Sequence, residues 1–481
     1  MISCNYVREC TCYFYCTTFF RRSAISEGWF CGKDYFKMKV TESITYISFE
    51  TIGGFFMKLN EEQQRMLDGS EGETMAKVMK TLVMYGETFG AERMVKVTSL
   101  HGHLVTSFGL SMMGAVQDLM DELIRNHALS RQSFSVDPRP MDPNVPANLL
   151  QKAVFQYMYS KQKPYEKQLE QLGLMRRDAF TCACYFDEVG NKPKEGDILS
   201  WAESSAVVYA NSVLGARCNR NSGIIELFGS IAGYVPEFGL LTDEGRKASW
   251  IIEVKTSKKP EAQLLGSAIG QKVMEDVPYI KGLDQWIGTE LSESACDYLK
   301  DMGAATASNG AVGLYHVDHL TPEAVRLGES LIKEDAKTFV IDDAVLEETK
   351  ANYPMIWADP NASPKLAFIG CPHLSFTQLN DWTTRITEAL KAEGRTKVAV
   401  PTVVTTAPAV AEKFKQTEAY QKLKDTGAVL SSICALMYMN NPLCGKMPVI
   451  TCSNKLRTYT TARYYTEAEL LEIITKGGIR S

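Results

Sequence analysis

From residue 73 onward, short apolar runs rich in β-branched residues alternate with stretches of helical apolar spacing, and no other feature narrows the possible folds as far. Helical spacing marks residues 73–85, 109–124, 149–172, 377–392 and 410–423. Extended runs mark 94–98, 132–136, 250–254, 339–341, 366–369, 397–400, 429–433 and 448–451. This alternation predicts an α/β fold with mostly parallel sheets, because parallel neighbours need a crossover between them. No internal repeat or low-complexity linker separates the elements, so two or three α/β subdomains must pack closely. The 45% hydrophobic and 23% charged content excludes a disordered chain or a coiled coil. A net charge of −5 gives no footprint for nucleic acid or an anionic membrane. No run approaches the ~20 apolar residues that span a bilayer. Chemistry on a small molecule in water is the class left standing.

Of the thirteen cysteines, five (Cys4, Cys10, Cys12, Cys16, Cys31) crowd the first 31 residues, and the rest are scattered. An odd count at irregular spacing is no secreted disulfide framework, so reduced thiols and a cytoplasmic location are expected. Residues 1–56 carry the cluster CTCYFYCTTFF and no clear period. They are expected to be a poorly ordered extension, not part of the native fold, with Met57 as the natural start and Asn60 as the first helix cap. Metal binding by the CxC is the lesser alternative.

Three apolar runs end in chemistry: LAFIG runs into Cys371-Pro372-His373, AVLSSI into Cys434, and PVIT into Cys452-Ser453-Asn454-Lys455. Ligands of open α/β sheets sit outside the carboxyl ends of the strands, so these groups could converge on one crevice. Equally, strand-end cysteines can be small buried hydrophobes. The segment 201–246 is the densest polar stretch. Its helical part at 203–220 carries Ser204, Asn211, Arg217 and Arg220, with Cys218 between the two arginines. Guanidinium groups there would favour a thiolate or hold a substrate carboxylate. The bland alternative is a solvated helix cap with a structural cysteine.

The motifs ESSAVVYANSVLGARCNRNSG, VPEFGLLTDEGR, GCPHLSF and the final SNK resemble the catalytic subunit of the aconitase X family, over 57–465. That family includes cis-3-hydroxy-L-proline dehydratase and the large subunit of archaeal phosphomevalonate dehydratase. The resemblance implies an aconitase-like fold of three closely packed α/β/α subdomains around a central cluster, with 466–481 a C-terminal helix and tail. It implies an iron–sulfur cluster (2Fe-2S or 4Fe-4S) held by Cys218, Cys371 and Cys434. Lys455 and Glu237 fall in motifs near the substrate, and His103 where the family has a histidine; with Ser453 they complete the expected site. Cys182 and Cys184, in TCACYF, depart from the family pattern and are expected to be structural.

Dehydration of a β-hydroxy acid must remove a weakly acidic α-proton and expel hydroxide. A Lewis-acidic iron with an open position suits the second task, and three cysteine ligands leave that position open. Arg217 and Arg220 are the expected carboxylate grip; Glu237, His103 and Lys455 are the candidates for the base. His373 is expected either to face the cluster or to be a satisfied histidine in a turn. The pair His316 and His319 is weak evidence for zinc. The swivel domain of the superfamily is absent, so a separate small subunit is expected to complete the site. Loss of water from cis-3-hydroxy-L-proline is the favoured reaction, dehydration of mevalonate 5-phosphate the alternative. A metal-free, non-catalytic α/β binding subunit is the reading from another class.

Overall fold

The computed structural model describes residues 57–478, so the extension at 1–56 lies outside the described residues. Strands β1 (Met94–Lys96), β2 (Gly102–Leu104), β3 (Phe134–Val136) and β4 (Tyr234–Pro236) form two small sheets. In them β1 pairs antiparallel with β4, and β2 pairs parallel with β3. A second layer holds β5 (Ala248–Val254), β6 (Pro278–Lys281), β7 (His316–Val317) and β8 (Ile332–Ile341), all parallel, in the order β7-β6-β5-β8. The third sheet holds β9 (Leu366–Leu374), β10 (Thr402–Thr406), β11 (Val429–Ser431), β12 (Val449–Thr451) and β13 (Arg463–Tyr464). It is also all parallel, in the order β11-β10-β9-β12-β13. The chain therefore builds outward from β9 on one side, then returns to its other side. That reversal makes the gap between the carboxyl ends of β9 and β12 a topological switch point, where open α/β sheets bind ligands.

The sheets are covered as parallel strands require, with both faces apolar. Val403, Val404, Ile450 and the β9 residues Leu366 to Ile369 are all buried. The C-terminal helix Glu467–Lys476 packs Leu470, Ile473 and Ile474 into the largest core cluster, beside Trp382 and Ile386 of the helix Phe376–Ala392.

Three predicted elements are redrawn. The long helix at 149–172 is two helices, Leu149–Met158 and Gln162–Leu172. Pro164 explains the break: in a continuous helix it could not donate to the Ser160 carbonyl, and its ring would clash there. The helix at 410–423 is likewise split into Pro408–Phe414 and Glu418–Asp425, the second capped by Thr417, whose Oγ1 accepts from the Tyr420 N–H. The run at 397–400 is not a strand. Val398 donates to the Thr426 carbonyl and Ala399 to that of Ile474, and the ladder begins at Pro401, whose carbonyl accepts from Ala367. A proline is tolerated where a strand starts, so the strand follows it.

Candidate active site

Cys371 lies in the carboxyl half of β9, and Gly370 before it has φ +100°, with an added Cβ meeting the Thr405 carbonyl oxygen at 2.4 Å. Only glycine lets the strand turn Cys371 toward the switch point while hugging β10. Cys434 follows β11 as the cap of the helix Ala435–Met439, its N–H donating to the Arg139 carbonyl at 2.8 Å. That bond draws Asp137 and Pro138 to the same place. Lys455 lies in the first turn of the helix Asn454–Tyr459, just after β12. Ser453 caps that helix, accepting from the Leu456 N–H at 3.1 Å, and donates to the Cys371 carbonyl at 2.5 Å. One cleft is thus lined by Cys182, Cys371, Cys434, Lys455, Glu203 and Asp137.

His373 ties the three thiol-bearing segments together. Its Nε2 donates to the carbonyl of Ile433, next to Cys434, at 3.2 Å. A carbonyl only accepts, so Nδ1 is the acceptor, and the Thr181 hydroxyl, next to Cys182, donates to it at 2.9 Å. The backbone N–H of His373 itself donates to the Cys182 sulfur at 3.4 Å. His373 is thus the satisfied histidine, but one that holds the donor set in place. Burial pushes its pKa down to about 4, so the ring stays neutral in the fold. The unfolded chain binds this proton below pH ~6.5, the folded chain only near 4. The stabilisation is complete above ~6.5 and is lost as the pH falls toward 4, on the order of 1–3 kcal/mol. Urea unfolding at pH 7 and pH 5 should show this loss in the wild type. His373→Asn should be less stable at pH 7 and show a smaller fall; an equal fall would refute the assignment.

Lys455 forms an ion pair with Glu203 that is buried on both sides, and also reaches the Ser205 hydroxyl at 3.0 Å and that of Ser204 at 3.4 Å. Glu203 caps the helix Ser204–Ser212, accepting from the Ala206 N–H at 2.6 Å and the Ser205 hydroxyl at 2.8 Å. Burial opposes the Glu203 charge, but the Lys455 ammonium and these donors prevail and hold its pKa down to about 2. Burial likewise opposes the Lys455 charge, yet Glu203 and the neighbouring thiols raise its pKa above the usual lysine value. All three cleft thiols are pushed up by burial, with Lys455 pulling the other way. The cleft is therefore a low-dielectric site with one cation, two carboxylates and three sulfurs.

The predicted residues divide sharply. Cys371, Cys434 and Lys455 line the cleft, and Ser453 and Ser204 bond to Cys371 and Lys455 from behind. Cys218 does not line it: it is fully buried beneath Trp201, whose carbonyl its thiol approaches at 3.4 Å, and Asn211 bonds its backbone N–H and carbonyl. Asn211 thus serves the interior, also donating to the Gly313 carbonyl and accepting from Arg246. Arg217 pairs with Asp243 at 2.5 Å and the Leu241 carbonyl, and Arg220 reaches the Ala307 carbonyl, so neither faces the cleft. Glu237 pairs with Arg93 near the surface. His316 donates to the buried Arg246 carbonyl while His319 is exposed beside Asp284, so the two do not form a zinc site. The arginine-rich segment misled because the helix ends at Ser212; Gly215, at φ +67°, then lets the chain turn so that Arg217 pairs alongside Ile198 and Cys218 enters the core. Cys182, expected to be structural, occupies the place expected of Cys218.

Sequence reasoning did not name Asp137 and Glu203, and it set Cys182 aside, although all three line the cleft. Asp137 directly follows β3, so the strand-end rule applied to 132–136 would have found it. Glu203 and Cys182 gave no such signal, because neither follows a strand. Among the described residues no three His, Cys, Asp or Glu side chains are grouped to hold a single metal ion. Three sulfurs around one cleft could instead hold an iron–sulfur cluster, whose ligands stand further apart. The free volume among them is about 30 Å³, room for one water. A larger depression of about 510 Å³, beside Glu73, Lys77 and Arg125, contains none of the site residues.

Known proteins share this architecture. Sequence models of the aconitase X first, second and third domains match residues 56–244, 248–351 and 364–474. The phosphomevalonate dehydratase large subunit of Thermococcus kodakarensis is 31% identical over 360 residues, 74% of this chain and 82% of that one. Its counterpart in Methanothermobacter thermautotrophicus is 32% identical, over 67% of this chain and 75% of that one. The cis-3-hydroxy-L-proline dehydratase of Hypocrea jecorina is 25% identical over 69% of this chain but only 53% of its own length. The crystal structure of Thermococcus kodakaraensis aconitase X in its holo-form superposes with a TM-score of 0.70 at 26% identity, covering 87% of this chain and all of that one. With three family domains in sequence order and a fold to match, this chain belongs to the aconitase X family.

Proposed function

We propose that this chain is the catalytic large subunit of a dehydratase acting on mevalonate 5-phosphate, with an iron–sulfur cluster held by Cys182, Cys371 and Cys434. The observation that carries the substrate is extent: the phosphomevalonate dehydratase large subunits match over 82% and 75% of their length, the hydroxyproline enzymes over 53% and 45%. This reverses the order of preference drawn from sequence. When bound, the cluster would supply the Lewis acidity that polarises the leaving hydroxyl.

The chain's own residues supply the rest. Lys455 is the cation of the cleft and takes the place expected of Arg217 and Arg220 in holding the substrate carboxylate. Glu203 and the Ser204 and Ser205 hydroxyls fix its position. Charge that builds on the carboxylate as the α-proton leaves is thereby stabilised where water is excluded. His373 fixes the thiols.

The partner is a small subunit, as the relatives' names imply for them. The helix Leu149–Met158 supports this. Its inner face buries Phe155 against Ile433 and Ala435, beside Cys434, while Leu149, Leu150 and Tyr157 are 87%, 64% and 77% exposed. A helix apolar on both faces is ordinarily buried. No helix of the described residues is long and apolar enough to cross a membrane; a cytoplasmic location goes with the reduced thiols.

The test is anaerobic reconstitution with iron and sulfide beside a small subunit, offering both substrates. Turnover of mevalonate 5-phosphate, at least about tenfold above that of cis-3-hydroxy-L-proline, is expected. The opposite ranking would restore the hydroxyproline reading, and a colourless, inactive complex would support a non-catalytic subunit.

A further inference from the structure

Two buried polar atoms at the edge of the cleft have no hydrogen-bond partner: Nε2 of His103 and Oδ1 of Asp137. They face each other at 3.7 Å, too far for a hydrogen bond. Buried polar atoms are nearly always paired, so a facing pair of orphans calls for a reason.

The groups behind His103 allow its N–H to point at Asp137. Asn191 is buried, and its Nδ2 donates to the Gly102 carbonyl and to the Ser135 hydroxyl oxygen, each at 2.8 Å. The carbonyl can only accept, which fixes the orientation of the amide. Ser135 Oγ therefore receives a proton from Asn191, and its own proton is free for His103 Nδ1, 2.8 Å away. With that proton given to Nδ1, the N–H of the neutral ring is on Nε2, aimed at Asp137. Strand pairing sets this geometry: Gly102, His103 and Leu104 of β2 lie opposite Phe134, Ser135 and Val136 of β3, with Asp137 the next residue. Trp201 packs edge-on against the imidazole and keeps it from turning. The buried Cys184 thiol is the other polar group beside the ring, but a thiol is a weak acceptor and competes poorly with a carboxylate. Burial opposes a charge on His103, against the upward pull of Cys184 and Asp137. A second ring proton would have to sit on Nδ1, where the Ser135 proton already points, so the hydrogen bonds favour the neutral ring.

We propose that Asn191, Ser135 and His103 form a hydrogen-bond chain of fixed polarity that positions Asp137 as the proton-accepting group of the cleft. This rests on the dehydratase reading above. Oδ1 is sealed against His103, while the 11% of the Asp137 side chain that stays exposed opens on the cleft, beside Lys455 and the three thiols. The Nε2–H stabilises the carboxylate and leaves its other oxygen for the substrate. Such bonds are often long in the unliganded enzyme and tighten when the reacting complex forms. In the step, the carboxylate takes the α-proton, the C–H electron pair becomes the new C=C bond, and the C–O pair departs with hydroxide. Proton and hydroxide together are the water lost. His103, placed by the pairing of β2 with β3, is thus a positioning residue, and Asp137 is the group that meets the substrate.

Two measurements test this. Side-chain ¹⁵N NMR of the histidine-labelled full chain, with His103 assigned by difference against His103→Asn, should show a neutral ring protonated on Nε2. A ring carrying a proton on Nδ1, alone or beside one on Nε2, overturns the proposal, whatever the enzyme turns over. In the reconstituted complex, Asp137→Asn should lower kcat by about 10²–10⁴-fold. His103→Gln, whose amide can still donate near the Nε2 position, should keep kcat within about threefold, whereas His103→Asn should lose about 10- to 100-fold with KM little changed. Equal losses in the two His103 variants would mean that the residue only supports the fold, and normal turnover in Asp137→Asn would remove Asp137 from the reaction. A wild-type complex inactive on every substrate counts against the dehydratase reading and leaves the ring tautomer to decide the positioning chain.

Discussion

Replacing Cys182 with alanine should strip the reconstituted protein of its iron and sulfide and lower turnover at least about 1,000-fold, equivalent to about 4 kcal/mol of barrier. Cys371→Ala and Cys434→Ala should do the same. Cys218→Ala should keep both iron and colour, because its thiol lies beneath Trp201 and is not among the residues lining the cleft. It should lose only packing, about 1–3 kcal/mol of stability. The comparison is discriminating because sequence motifs favour Cys218 and the geometry favours Cys182. Iron and acid-labile sulfide per chain, with the visible spectrum, are the measurements. A colourless Cys218→Ala protein beside a fully loaded Cys182→Ala protein would overturn the assignment. Both variants remove one sulfur from a buried place, so loss of folding alone cannot produce the expected pattern.

Lys455→Met should be the most destabilising substitution in the cleft. It leaves the Glu203 carboxylate buried with no counter-charge, at a cost of about 3–5 kcal/mol. Adding Glu203→Gln should recover most of the loss, since replacing both members of a buried pair is close to neutral. Urea denaturation of the two single variants and the double variant measures the coupling; a Lys455→Met protein within ~1 kcal/mol of wild type would show that the pair is not formed. The pH dependence follows from the same pair. The folded pKa of Glu203 lies at about 2, below the ordinary carboxylate value. Its stabilisation is present above pH ~4.5 and is lost as the pH falls from there toward 2. Lys455 is shifted upward, so its share is complete below pH ~10.5 and declines only above it. Between those limits the pair holds at full strength, and the double variant should flatten both edges.

Much of the site is legible in strand ends. Cys371, Cys434 and Lys455 each follow an apolar run, and a parallel sheet gathers the carboxyl ends of its strands on one side, so their convergence follows from the sheet alone. Asp137 obeys the same rule after β3. Cys182 and Glu203 follow no named strand; backbone bonds of the neighbouring Thr181 and Ala202 to Val136 and His103, and contacts with His373 and Lys455, bring them in. The arginines at 217 and 220 look like a substrate grip because charge beside a thiol is chemically suggestive. Asp243 and the Ala307 carbonyl engage them instead, at sequence separations of 26 and 87 residues.

Periodicity and strand-end chemistry are local properties that survive in any context, and they suffice for the α/β class and the parallel sheets, while the family is legible in longer motifs. Which cysteines share a cleft is a different matter, settled by long-range packing. Cys182, Cys371 and Cys434 lie 189 and 63 residues apart along the chain, and they are brought together by one imidazole that bonds two neighbouring segments from a third. The polarity of the Asn191–Ser135–His103 chain is of the same kind. It depends on which carbonyl lies beside an amide, and pairing between strands, not spacing along one, sets that.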